Sequence, residues 1–145
     1  MAVDVSTEAV IECPRAQVAA FAGDPTNAPR WYANIDRIEW QTEPPLRIGS
    51  RMEFVARFLG RQLVYTYEVV EYTPGERLVM RTAEGPFPME TTYTWADAGP
   101  GRTRMTLRNT GTPSGFGKLA APIMKAAMRR ANRADLAQLR TLLEA

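Results

Sequence analysis

SGFGKLAAPIMKAAMRRANRADLAQLRTLLEA, residues Ser114 to Ala145, closes the chain with one long helical pattern. At about 100° per residue, Phe116, Ala120, Ile123, Met124, Ala127, Ala131 and Ala134 gather on one side. Lys118, Lys125, Arg129, Arg133 and Arg140 gather on the other. Such a helix needs a partner surface, because most helical stability in proteins comes from packing an amphipathic face. Pro122 lies inside the pattern and predicts either a kink or a short first turn ahead of the main helix. The alanines read two ways: small side chains let a helix approach closely, and they leave volume that larger ones would fill.

The partner surface is written upstream in strands. From Val3 to Cys13, Val5, Thr7, Ala9, Ile11 and Cys13 share one face, and Asp4, Ser6, Glu8 and Glu12 the other, the period of a half-buried strand. Pro14 suits a helix start, and Asp24-Pro25 opens a second short helix running to about Trp31. Ile38 and Trp40 then mark a strand ended by Pro44-Pro45. Met52, Phe54, Ala56 and Phe58 alternate with Arg51, Glu53 and Arg57 up to Leu59, and Gly60-Arg61 predicts a tight turn. Leu63, Tyr65, Tyr67 and Val69 point inward in the next strand, and Pro74-Gly75 turns the chain. Leu78, Met80 and Thr82 follow, then Phe87, Met89, Thr91, Tyr93 and Trp95, then Met105, Leu107 and Asn109 after Gly99-Pro100-Gly101. Strands joined by short turns pair antiparallel, and an antiparallel sheet keeps one wet face. A one-sided sheet and a long helix cover each other, and bulky aromatics facing alanines leave a hollow between them.

Composition narrows the chemistry. The chain has 145 residues, 45% of them hydrophobic and 23% charged, which suits a single globular domain spanning 1–145. No stretch reaches the roughly 20 apolar residues of a membrane span, and MAVDVSTEAV shows no secretory pattern, so a cytoplasmic location is expected. There is no histidine, which removes the usual neutral-pH base, the Ser-His-Asp and Cys-His pairings and the commonest metal ligand. With one cysteine besides, zinc would need carboxylates almost alone, so neither metal nor cofactor is expected. Cys13 ends an alternating strand and reads as a buried structural thiol, the rival being a thiol activated by the following helix. The net charge of +2 predicts no nucleic-acid partner.

The order strand, two short helices, six meandering strands and a long helix is that of an α+β helix-grip fold, a seven-stranded antiparallel sheet wrapped around the last helix. Four phrases carry a family resemblance: Cys13-Pro14 leading to Val18 and Phe21; Asp24-Pro25 with Trp31; Val69-x-Glu71-x-x-Pro74 followed by Arg77-Leu78; and Gly101-Arg102-Thr103-Arg104-Met105-Thr106. With these the chain resembles the polyketide cyclase/dehydrase and lipid-transport superfamily, also called SRPBCC, which includes START-type lipid carriers and the birch-pollen-allergen fold. The resemblance covers nearly the whole chain and implies a ligand cavity. It carries over no catalytic set, since members range from cyclases and dehydratases to carriers and regulatory binders.

Tyr65, Tyr67, Tyr93, Thr91 and Asn109 bring polar tips to the inward face beside Phe54, Phe58, Met80 and Met89, and Met124 faces them from the helix. One reading makes them the few oriented hydrogen bonders of an apolar pocket; the other buries each ring and sends its hydroxyl to a local partner. Trp31 and Tyr32, where the second short helix meets the sheet, either gate the cavity or plug it. Glu71 shares the parity of Val69, so it is either a carboxylate at the pocket floor or a strand-end residue paired with an arginine.

The expected ligand is a small hydrophobic molecule, aromatic or polyketide-like. An enzyme would perform an aldol-type cyclisation or dehydration, with Tyr65, Tyr67 or Tyr93 polarising a carbonyl. The rival is a carrier or sensor of lipids or other hydrophobic ligands without chemistry. A third reading uses the basic helix side as an interaction surface, and a second copy of the chain is a candidate partner in a homodimer.

Overall fold

Alternation in the first eleven residues builds β1 (Val3–Ile11), and the computed structural model, which describes residues 3–112 and 121–145, pairs it with the last strand of the chain. Six further strands follow: β2 (Ile35–Trp40), β3 (Arg51–Phe58), β4 (Arg61–Thr73), β5 (Arg77–Glu84), β6 (Met89–Asp97) and β7 (Thr103–Gly111). All pairings are antiparallel, in the order β1-β7-β6-β5-β4-β3-β2, so β1 and β2 lie at opposite edges of one sheet.

The connector between those edges is α1 (Arg15–Ala22), a 3-10 turn (Pro25–Asn27) and α2 (Ala28–Trp31). Asp24 starts the turn by accepting the Thr26 N–H at 3.0 Å, the capping role its sequence position predicts. α1 packs on β6, and α2 on β2 and on the C-terminal helix α3 (Ala121–Glu144). This is the predicted helix-grip fold.

The hairpins obey turn chemistry. Phe58 pairs with Arg61, so Leu59 and Gly60 form the two-residue turn, both with positive φ, 51° and 78°. The turn therefore sits one residue earlier than the predicted Gly60-Arg61. Pro74-Gly75 turns as expected, with the Glu76 N–H donating to Thr73 O at 2.9 Å and Gly75 at φ 79°. On the wet face Arg51 opposes Glu68 and Arg81 opposes Glu90, and both pairs are ion-paired, at 2.8 and 2.9 Å.

Register sets the inner face. Met80, Thr91, Asn109 and Val5 stand side by side across β5, β6, β7 and β1, and Leu78, Tyr93, Leu107 and Thr7 form the row beside them. β4 slips against β5 between Val69 and Glu71, which turns Glu71 outward. It is exposed and accepts from Arg77 at 2.7 Å, so it is the strand-end partner of an arginine and not a pocket carboxylate.

α3 departs most from expectation. Pro122 occupies its first turn, but the predicted start at Ser114, with Phe116, Lys118 and Ala120, lies outside the described residues. The inward stripe is Met124, Asn132, Asp135, Leu136 and Leu139, with Met128, Ala131, Leu142 and Leu143 half-buried beside it. Ile123 and Ala134, predicted inward, are exposed. The true face is turned by roughly a quarter of the circumference. Leucines bury more apolar area than alanines, and that difference decides the orientation.

The core falls into two groups. The larger joins Trp31, Met52, Leu78, Trp95, Met105 and Leu107 to Leu136 and Leu139. The smaller joins Val3 and Val5 to Met124.

Candidate ligand-binding cavity

A cavity of about 140 Å³ lies between the inner face of the sheet and α3, with walls that draw on both core groups. Its lining is mostly apolar: Ile35, Phe54, Ala56, Phe58, Leu63, Met80, Phe87, Met89, Met124 and Met128. The space exceeds by far what one water needs, and its walls suit a hydrophobic occupant.

Eleven of the twelve residues singled out from the sequence line it: Tyr32, Phe54, Phe58, Tyr65, Tyr67, Met80, Met89, Thr91, Tyr93, Asn109 and Met124. Trp31 does not. It is buried behind Tyr32, with ring centroids 4.1 Å apart, and packs 5.7 Å from Tyr93, so it wedges the connector in place. Cys13 is buried as well, and burial raises its thiol pKa, as for a structural thiol.

On the sheet wall three of the polar tips are joined by hydrogen bonds. The Thr91 hydroxyl donates to Asn109 Oδ1 at 2.7 Å, which leaves Tyr67 as donor to Thr91 Oγ1, also at 2.7 Å. Tyr65 lies edge-on to Tyr67 at 5.0 Å and stacks on Phe54 at 5.5 Å, giving this wall a flat aromatic surface. Where α2 meets the sheet, the Tyr32 and Tyr93 hydroxyls share a 2.7 Å hydrogen bond. Two hydroxyls carry two hydrogens, so the pair keeps one to donate elsewhere. Burial raises all four tyrosine pKa values, Tyr67 to about 12 and Tyr32 and Tyr65 well above their ordinary 10.0, so these phenols are protonated donors and not bases.

The helix wall carries two polar side chains that sequence reading missed, Asn132 and Asp135. Asp135 is 2% exposed, accepts the Ala33 N–H on Oδ1 at 3.0 Å, and ties α3 to the segment after α2. Among the described residues no cation pairs with it. Burial raises its carboxyl from 3.8 to about 6, against the lowering pull of the Ala33 N–H. Asn132 is 4% exposed, and among the described residues its Nδ2 has no hydrogen-bond partner. The signal for both was available: Met124, Met128, Leu136, Leu139 and Leu142 define a stripe, and the two polar residues interrupt it.

A family model described as polyketide cyclase / dehydrase and lipid transport matches residues 2–144. The chain belongs to this family. No curated protein matches the sequence. Among solved structures, a START superfamily protein from Mycobacterium smegmatis superposes with a TM-score of 0.84 at 14% identity, over 97% of each chain. The Zhui aromatase/cyclase from Streptomyces sp. R1128 gives 0.80 at 17%, over 99% of this chain and 94% of that one. The major latex-like protein 151 of Panax ginseng gives 0.79 at 11%, over 99% of both. At these identities the likeness concerns the fold. The cyclase/dehydrase and lipid-transport fold is consistent with a hydrophobic ligand, and no described helix is long and apolar enough to cross a membrane.

Proposed function

We propose that this chain binds a small hydrophobic molecule, aromatic or polyketide-like, in the cavity under α3, and that it catalyses an aldol-type cyclisation followed by dehydration. The observation that carries the reaction is the buried carboxylate of Asp135, which pairs with no cation among the described residues, in the same cavity as a group of protonated tyrosines. A carboxyl raised to about 6 is mostly ionised at neutral pH, yet more basic than an ordinary one. It would take a proton from a carbon flanked by carbonyls, while the spare hydroxyl hydrogen of the Tyr32 and Tyr93 pair stabilises the enolate oxygen. The enolate carbon then bonds to a second carbonyl carbon of the folded chain, and the proton held by Asp135 returns to the resulting alkoxide. Loss of water from that alcohol leaves the ring unsaturated. Orientation by the aromatic wall and exclusion of water supply most of the rate.

A carrier without chemistry is the second reading, favoured by the sheet wall, where Tyr67, Thr91 and Asn109 spend hydrogen-bonding capacity on each other. Thermal-shift and native mass-spectrometric screening of aromatic and polyketide-like compounds, followed by product analysis of whatever binds, separates the two. Turnover that is lost in Asp135→Asn supports the enzyme. A ligand recovered unchanged after long incubation removes that support for the compound and leaves the carrier.

A further inference from the structure

Asn132 and Asp135 stand one turn apart on α3, at the i, i+3 spacing that makes side chains neighbours. Both face the cavity and both are almost wholly buried. One offers an N–H donor, Asn132 Nδ2, that meets no partner among the described residues. The other offers acceptor capacity: with Oδ1 engaged by Ala33, the carboxylate keeps lone pairs for which no described cation competes. Buried polar groups in this state are costly, and a ligand that completes them binds by removing the cost.

We propose that Asn132 and Asp135 form a hydroxyl-recognition station, and that the cavity selects molecules bearing a phenolic or enolic hydroxyl on a flat apolar body. The choice follows from which groups complete both partners at once. A ketone or ether oxygen accepts from Asn132 but presents lone pairs to Asp135. A carboxylate adds like charge beside Asp135, and the cation among the described lining residues, Arg57, is already ion-paired with Asp36. An ammonium pairs with Asp135 but meets the Asn132 N–H with hydrogens of its own. A hydroxyl accepts from Asn132 and donates to Asp135. Phenols and enols are the more acidic hydroxyls and give the stronger bond to a carboxylate. A ring carrying one would lie on the aromatic surface of Phe54 and Tyr65 across the cavity. This deepens the ligand-cavity reading and rests on it.

The test uses the full chain and three probes that share a ring system: 2-naphthol, 2-methoxynaphthalene and naphthalene, titrated by calorimetry at neutral pH. 2-Naphthol should bind about tenfold or more tightly than either of the others, as expected where a buried donor and acceptor go unmet without it. In Asp135→Asn and in Asn132→Leu that preference should shrink to about threefold or less, while an unchanged far-ultraviolet circular dichroism spectrum reports an intact fold. Equal binding of all three probes, or a preference that survives both substitutions, overturns the station and leaves the apolar cavity standing. Binding of none of the three overturns the cavity reading and the station with it.

Discussion

The two walls of the cavity treat polar side chains in opposite ways. On the sheet wall Tyr67, Thr91 and the half-buried Asn109 form a hydrogen-bonded chain in which the Tyr67 and Thr91 hydroxyls and Asn109 Oδ1 all meet a partner. Among the described residues, Asp135 on the helix wall has one backbone N–H and no cation, and Asn132 Nδ2 has no partner. A closed network rigidifies a fold, whereas buried polar groups left open lower stability and persist where function requires them. The same cavity therefore has one wall whose hydroxyls meet partners and one, the wall the proposed function uses, whose polar groups stay open. Substitutions on the two walls should move stability in opposite directions.

The largest effect is expected at Asp135. Its folded-state carboxyl, at about 6, lies above the ordinary 3.8 because burial disfavours the charge. Below pH 4 both folded and unfolded states hold the proton, and nothing is lost. As pH rises from about 4 to about 6 the unfolded state ionises first and stability falls; above that the cost is constant, on the order of 3 kcal/mol. Asparagine retains an oxygen for the Ala33 N–H and removes the charge. Asp135→Asn should thus be more stable than the native chain by about 3 kcal/mol at pH 8, with the difference falling below about 1 kcal/mol near pH 4. Urea denaturation of both proteins across that range measures it, and a pH-independent difference would break the contrast between the walls.

How the two walls were read from sequence follows the same division. The period-two rule needs only a strand and its turns, so Tyr65, Tyr67, Thr91, Tyr93 and Asn109 were assigned to one face by parity, and all five line the cavity. Parity failed at Glu71, where a bulge that no single residue announces inverts the side. The helix was harder. A search for the most apolar side chose Ile123 and Ala134 and passed over Leu136 and Leu139, because the true stripe contains an asparagine and an aspartate. A rule that maximises hydrophobicity steers away from a buried polar pair by construction. Trp31 was misplaced for another reason: its ring lies one layer behind Tyr32, and sequence cannot order two adjacent aromatics in depth.

Thr91 tests the sheet wall. Thr91→Val keeps shape and removes the hydroxyl that joins Tyr67 to Asn109, so the buried Tyr67 hydroxyl and the half-buried Asn109 oxygen lose their partner. The expected cost is about 2 kcal/mol, with the sign opposite to that at Asp135. Adding Tyr67→Phe removes one of the two stranded groups, so the double variant should cost less than the sum of the single ones. Strict additivity in denaturant titrations would show that the chain is not a network and that the two walls are alike.

The smallest effect concerns the helix wall. Asn132→Leu exchanges a buried amide, whose Nδ2 has no partner, for an apolar side chain of similar size. Leucine also favours the helix by a few tenths of a kcal/mol. Together these should raise stability by about 1 kcal/mol. Unlike the gain at Asp135, this one should be the same at pH 4 and pH 8, because an amide does not titrate in that range. A loss of stability instead would mean that the amide is satisfied within the fold, which would place Asn132 with Thr91 among the structural residues and leave Asp135 as the open polar group of the helix wall.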